Sequence, residues 1–590
     1  MTGSKSMREA LEKAGAEEMI QSQKEKVVRE KEKVVTKEKE APTPTPAATT
    51  TYKKDKDIDT PDTREIQVVP NRADTYSYPY LYASVVPEDP PSPLELAGWY
   101  IYGFCSYFVM TVLLPVLFPL LITQVAFPPS DLTSAAMISL RGHSCSQREM
   151  ALYTRLVRHS IHIAGSHLSP LNWAAISWAV GLILSAPLLL HTASHLDRGQ
   201  HQSLILIAAT SAGSFACLLT GFFKTFWLFP LYIVIIIGGF VIADAAHTRS
   251  LGLLVRGLAA HATGRQLVLR RRAAAARLSL HAAAAGGVGS ALISAFVYHM
   301  LRRSDQLTGL WVVSIFSGLI WFIGICHGLF SNRPGAASSP RMGATTSDSS
   351  SSRLGYALLI FNYPHAIGSL GAGFLGSFAT MCIFTSAVLY VTGGICMKPV
   401  LVLALWMLYF LFPTFILPMM YPVQLFIRAD AVKMQLLGFM VSAFVAGAGF
   451  YYKDRRWGAV QVVFVALIQS AASGLLQAFG RVLLLDCAPA GKEGAFASWL
   501  AWTRAAGALL GFAVGSASPG HVGGAFGGAF LGSFLGLVAL VFGNVSNVGG
   551  LVAAGHVKGV EEEKRQSVHG SDKGGEGSIE DREAYGRPRV

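Results

Sequence analysis

Charged side chains inside apolar runs are costly, so the search for chemistry starts with them. Arg481 lies within the hydrophobic stretch 458–484, and Gln477 stands one helical turn earlier on the same face. A guanidinium held there can take a carboxylate through two parallel N–H donors. Equally, it can pair with Asp486, Glu493 or Asp197 near a membrane face as part of a gate. Asp244 ends another apolar run and reads either as a protonatable coupling group or as a paired interfacial acid. Asp197 and Arg198 sit in the short polar turn 193–200 (ASHLDRGQ). Asp197 there can hold a helix end or a basic group in one state and release it in another, or simply cap the next helix. Glu493 follows Gly491 and Lys492 and suits the start of a helix, where the dipole favours negative charge. Trp99, Tyr100, Tyr102 and Tyr107 open the first apolar run. They are placed to line a solute path or to form an interfacial aromatic belt.

The elements that must carry these residues follow from composition. Of 590 residues 52% are hydrophobic and only 14% are charged, against about 25% in ordinary soluble domains. Residues 1–95 hold 18 acids and 15 bases, and residues 556–590 hold 8 acids and 7 bases. The 460 residues between them keep 10 of the 36 acids and 27 of the 49 bases, a net charge of +17. A water-soluble surface cannot be built from that middle region, whereas a bilayer would cover it. The bases are spread over short connections and form no single stripe, which argues against nucleic acid and for anionic lipid as their partner. None of the seven cysteines forms a CxxC pair, so neither a disulfide framework nor a metal site is expected, and nothing calls for a cofactor.

A membrane-crossing helix needs about 20 apolar residues. Twelve such runs are present: 99–124, 173–190, 203–222, 226–243, 282–300, 310–330, 369–391, 400–420, 432–451, 458–484, 497–517 and 523–541. Lipid forces each backbone to satisfy its own hydrogen bonds, so the runs are helices and the fold class is all-α, polytopic. The polar stretch 331–353 divides them six and six. The expected organisation is a charged, disordered cytosolic tail (1–95), a six-helix bundle (96–330), a flexible middle loop (331–353), a second six-helix bundle (354–545) and a disordered C-terminal tail (546–590). Within the first tail, Ile20, Val27, Val28, Val34 and Val35 recur near a period of seven, which fits a short partner helix or a solvated tail. Two matched bundles around a central passage is the plan of a pseudo-symmetric carrier. Arginines concentrate between runs four and five (Arg249 to Arg277) and in the middle stretch (Arg333, Arg341, Arg353), against Arg141, Arg148, Arg155 and Arg158 in the first loop on the opposite side, and this bias places the former connections and both termini in the cytosol.

Three short patterns sharpen this. The turn 193–200 resembles the loop-two signature of the major facilitator superfamily. Gly98-Trp99-Tyr100-Ile101-Tyr102-Gly103-Phe104 at the first run has the form GWYxYxF. Gln477…Arg481, followed by Pro489, Gly491, Glu493 and Phe496, has the form QxxxR…PxGxExxF. Together they resemble the vacuolar amino-acid effluxers linked to autophagy, a branch of that superfamily, over about residues 95–545. The resemblance implies a twelve-helix carrier in the vacuole or lysosome-like membrane, exporting small neutral amino acids such as leucine to the cytosol after autophagic protein breakdown. Two positions depart from the pattern: Cys105 and Ser106 follow the first-helix aromatics, and the segment 243–247 lacks a proline. The alternatives left open are a carrier of a sugar, peptide or organic ion, and a non-transporting membrane scaffold. A membrane enzyme is disfavoured, because ten scattered acids form no HxxxD or DxD pattern.

Overall fold

The computed structural model describes residues 89–126, 153–333 and 358–556, apart from 304–307 and the single positions 160, 164, 200, 224, 261, 263, 332, 456, 518, 544 and 555. The N-terminal tail with its heptad-like valines, most of the middle stretch, Arg141 and Arg148, and the last residues of the C-terminal tail lie outside the described residues.

The apolar runs are helices, as lipid requires. In chain order they are α1 (Pro93–Val125), α2 (Pro170–Arg198), α3 (Gln202–Leu219), α4 (Phe229–Ala259), α5 (Gln266–Leu301), α6 (Gly309–Phe330), α7 (Pro364–Gly394), α8 (Val400–Phe426), α9 (Ala431–Tyr451), α10 (Ala459–Asp486), α11 (Glu493–Ala517) and α12 (Val522–Phe542). A short α13 (Asn547–Ala553) follows, and a small antiparallel hairpin, β1 (Ile161–Ile163) with β2 (Ser166–Leu168), precedes α2. Among the described residues, eleven helices are long and apolar enough to cross a membrane. The remaining expected span, α11, is diluted by Trp499, Trp502, Thr503 and Arg504, and it packs among α2, α4 and α7.

Local signals explain the helix ends. Ser92 and Ser169 accept backbone N–H groups at the starts of α1 and α2, each followed by proline in the first turn. Gly199 ends α2 in the left-handed region at φ 69°, which side chains resist. Pro115 lacks an N–H and lies in a π-helical stretch of α1, Val109–Leu117.

Two expectations are corrected. The connection between runs four and five is largely helix: α4 runs on to Ala259 and α5 starts by Gln266, so Arg249, Arg256, Arg270, Arg271, Arg272 and Arg277 stand on helices. Alanine and arginine are strong helix formers, and the segment 273–285 is rich in alanine. The turn 193–200 is likewise mostly helix, so Asp197 and Arg198 occupy the last turn of α2.

The polar stretch 331–353 separates α1 to α6 from α7 to α12 in the sequence, and extensive contacts run both within and between these two sets. α4 packs against α2 and α3, α5 against α1, and α6 against α3. In the second set α7 packs against α11 and α12, α9 against α10 and α12, and α8 against α10. The seam between the sets is made by α5 on α8 and α10, and by α11 on α2 and α4. Glycine sets how near α7 and α11 come: a Cβ on Gly507 or Gly511 would run into the carbonyl oxygens of Phe374 and Phe378. Large apolar side chains such as Phe215, Phe426, Phe444, Phe464 and Phe542 face outward, as a lipid-covered surface needs and a watery one does not tolerate.

Candidate functional site

A cavity of about 110 Å³ lies along the seam, walled by α1, α4 and α5 from the first set and by α7, α10 and α11 from the second. One water needs roughly 10–15 Å³ of such space, so the cavity has room for a small solute. Its charged lining residues are Asp244 on α4, Arg481 on α10 and Arg504 on α11. Ser106, Tyr107 and Thr111 add hydroxyls from α1, and Ser377, Thr380 and Ser473 add others from α7 and α10. Gln477 lines the same wall as Arg481, one turn away, as the sequence spacing placed it.

Arg481 donates from Nη2 to Asp244 Oδ1 at 3.3 Å, and each side chain is 10% exposed. Asp244 is therefore a paired acid within α4 rather than an acid at its end, since that helix continues to Ala259. The other acids named as possible partners of Arg481 are engaged elsewhere. Breaking a buried pair by removing one partner costs about 3–5 kcal/mol, because the survivor is left without compensation.

A second set of contacts crosses the seam at one end of the molecule. Asp197 at the end of α2 accepts the backbone N–H of Gly494 through Oδ1 and that of Ala495 through Oδ2, at 2.5 and 3.1 Å. These are unsatisfied first-turn donors of α11, and the helix dipole favours a carboxylate there. Gly494 is what permits the approach, since a Cβ would stand 2.7 Å from Leu196 Cβ and 2.8 Å from Asp197 Oδ1. Glu493 reaches Arg256 of α4 at 2.5 Å and accepts the Gly491 N–H at 2.8 Å. Asp486 reaches Arg271 of α5 at 3.5 Å and accepts from Asn547 at 2.8 Å. Lys492 lies in the same turn; burial lowers its pKa, and the Asp197 carboxylate opposes that shift. Arg198 is exposed at the end of α2.

The first-helix aromatics separate. Trp99 and Tyr102 are fully buried inside the first set, with the Trp99 ring stacked on His247 at 4.8 Å and the Tyr102 ring 4.5 Å from the same imidazole. Tyr100 is partly buried beside His281. Neither Trp99, Tyr100 nor Tyr102 lines the cavity; Tyr107 does. Thus Asp244, Gln477 and Arg481 meet at the cavity, Asp197 and Glu493 meet at the seam, and the aromatics stand apart. Arg504 was missed, although its signal was the one that marked Arg481: a cation inside an apolar run. His247 and the cross-seam partners Arg256 and Arg271 were missed for want of any local signature.

No group of three or more His, Cys, Asp or Glu that could hold a metal occurs among the described residues. Cys396, between α7 and α8, is disulfide-bonded, against the expectation from spacing, while Cys105, Cys217, Cys326, Cys382 and Cys487 are free.

No family model matches the chain. Over 144 residues it is 25% identical to autophagy-related protein 22-1 of Neosartorya fischeri, a match spanning 22% of this chain and 24% of that protein's length. Among solved structures it is similar to the human organic anion transporter MFSD10, with 12% identity, a TM-score of 0.45, and coverage of 77% of this chain and 100% of the other. It is similar also to the proton:xylose symporter XylE, with 13% identity, a TM-score of 0.49, and coverage of 77% and 95%. This multi-pass, all-α chain is thus similar to autophagy-related protein 22-1 over part of its sequence.

Proposed function

We propose that the chain is a carrier of the major facilitator type. It exports small neutral amino acids, such as leucine, from the lumen of a vacuole or lysosome-like compartment to the cytosol by alternating access. Residues 96–330 and 354–545 are the two moving halves, and the bilayer and the solute are its partners. The observation that carries this reading is the Asp244–Arg481 pair, whose two members come from opposite halves and share one cavity wall. Moving α4 away from α10 strips each charge of its partner. A zwitterion in the cavity offers an ammonium to Asp244 and a carboxylate to the arginine side, so both charges stay paired while the halves separate.

The contacts of Asp197 with α11, Glu493 with Arg256 and Asp486 with Arg271 close one end of the seam and act as its gate. The bias of arginines supports a cytosolic position for that end. The disulfide at Cys396, in the connection that follows α7, supports a luminal position for the other, since disulfides persist in oxidising compartments. The partial likeness to a protein named for autophagy supports the vacuolar setting.

The test is efflux of labelled leucine from vesicles containing the pure protein, beside labelled sugars, with Arg481→Ala and Asp244→Asn for comparison. Leucine escapes with the native chain and is retained with both variants. Leucine retained while a sugar escapes would refute the amino-acid reading and leave the carrier reading in place.

A further inference from the structure

The charge balance of the cavity carries more than the choice of an amino acid. Two guanidinium groups, Arg481 and Arg504, and one carboxylate, Asp244, face it, so its charged lining sums to +1. Arg481 is already committed to Asp244. Arg504 feels the charge of that carboxylate, but its Nη1 is buried and has no hydrogen-bond partner among the described residues. A buried cationic donor without a partner is unfavourable until an anion reaches it. Its planar fork of N–H donors matches a carboxylate. Single surplus charge matches a single negative charge, and the hydroxyls of Ser377, Thr380 and Ser473 can serve the remaining lone pairs.

We infer that Arg504 is the primary carboxylate anchor of the cavity, and that the transported class is defined by a small carboxylate, with the amino group an accessory feature. This rests on the carrier reading above and narrows its substrate class. Arg504 binds the solute first, while Arg481 still holds Asp244. An ammonium, where the solute has one, then competes for Asp244 and loosens that pair.

Three solutes of one shape separate the possibilities: leucine, 4-methylpentanoate (the same skeleton without the amine) and leucinamide (the same skeleton without the carboxylate). Binding is read as a concentration-dependent rise in Tm of the pure protein, since a ligand that binds the native state stabilises it. Transport is read as KM and kcat in vesicles. Both carboxylates are expected to bind and leucinamide to fail. Arg504→Gln should raise the KM of each carboxylate at least ten-fold with a smaller change in kcat, and Arg504→Lys, which keeps the charge but loses the fork, should fall between. The baseline Tm of each variant reports whether it folds. The inference is overturned if leucinamide binds as well as leucine, or if folded Arg504→Gln keeps the native KM. Rejection of leucine beside Arg504-dependent uptake of 4-methylpentanoate would defeat the amino-acid reading and support this one. Failure of all three solutes to bind would defeat both.

Discussion

Two acids from the first half do different work because different groups face them. Asp244 meets a guanidinium across a cavity, whereas Asp197 meets two backbone donors of a helix start. Their loss should therefore read differently. Asp244→Asn strands Arg481, a cost of about 3–5 kcal/mol by analogy with other buried pairs. The double variant Asp244→Asn with Arg481→Gln removes both charges and should recover most of that stability while remaining inactive in transport. A Tm series on the native, single and double variants checks this; a double variant less stable than either single would contradict the pairing. Gly494→Ala brings a methyl within 2.7 Å of Leu196 and 2.8 Å of the Asp197 carboxylate, so it should pry α11 from α2 without touching the cavity. A cysteine placed at exposed Arg198 beside that seam reports the change: its maleimide labelling should quicken in the Gly494→Ala background. An unchanged rate would mean that the contact does not hold the seam shut. How much of this was legible follows from the same residues. Arg481 and Gln477 announced themselves by a charge and an amide one turn apart in an apolar run. Their partner Asp244 stands 237 positions away, and no local pattern encodes which helix will face which.

Helices as elements were more legible than their ends. The lipid requirement for about 20 apolar residues fixes where a span must be, but it is silent about helix that continues beyond the membrane. α4 and α5 continue as arginine- and alanine-bearing extensions, and those extensions carry Arg256 and Arg271 to the seam. The proposed gate is thus built from what hydropathy discards as loop. The same end carries a small element beyond the last span. In α13, Ser546 caps the helix, Asn547 donates to Asp486, and Gly550 packs so closely on Cys487 that a Cβ would stand 2.6 Å from its sulfur. His556 follows, with Nε2 2.8 Å from the Ala488 carbonyl oxygen. Burial first, then Arg271 and Arg256, push its pKa well below the usual 6.5, against the pull of that carbonyl. Because the docked imidazole binds protons less readily than the free one, docking is strongest above pH 6.5 and weakens as the pH falls below it. Limited proteolysis between pH 5 and 8 should show the C-terminal segment released more readily on the acid side. The trend should vanish in His556→Phe. Equal protection across that range in the native chain would mean the residue does not titrate in this window.

At the scale of the whole molecule, sidedness decides which way a carrier of the proposed kind would work, because the same cavity and seam run in either direction. The closed end carries α13 and the connections rich in arginine; Cys396 lies in the connection after α7, which starts from that closed end and must leave the membrane on the opposite face. Charge bias alone gives a modest orientation, since Arg155 and Arg158 stand in the connection between α1 and α2, on that same opposite face. The disulfide is independent of charge, and its persistence needs an oxidising compartment. On the proposed reading both arguments favour a cytosolic closed end, so the described state would be one shut toward the cytosol and poised to take solute from the other side. That arrangement predicts a specific labelling pattern. Intact vacuoles treated with a permeant reductant and then an impermeant maleimide should leave the peptide containing Cys396 unlabelled, and opening the membrane after reduction should label it, as read by mass spectrometry. The free cysteines Cys105, Cys217, Cys382 and Cys487 are buried and give the background. Labelling of Cys396 in intact organelles would invert the molecule. The gate would then close toward the lumen, and the chain would load the compartment instead of emptying it.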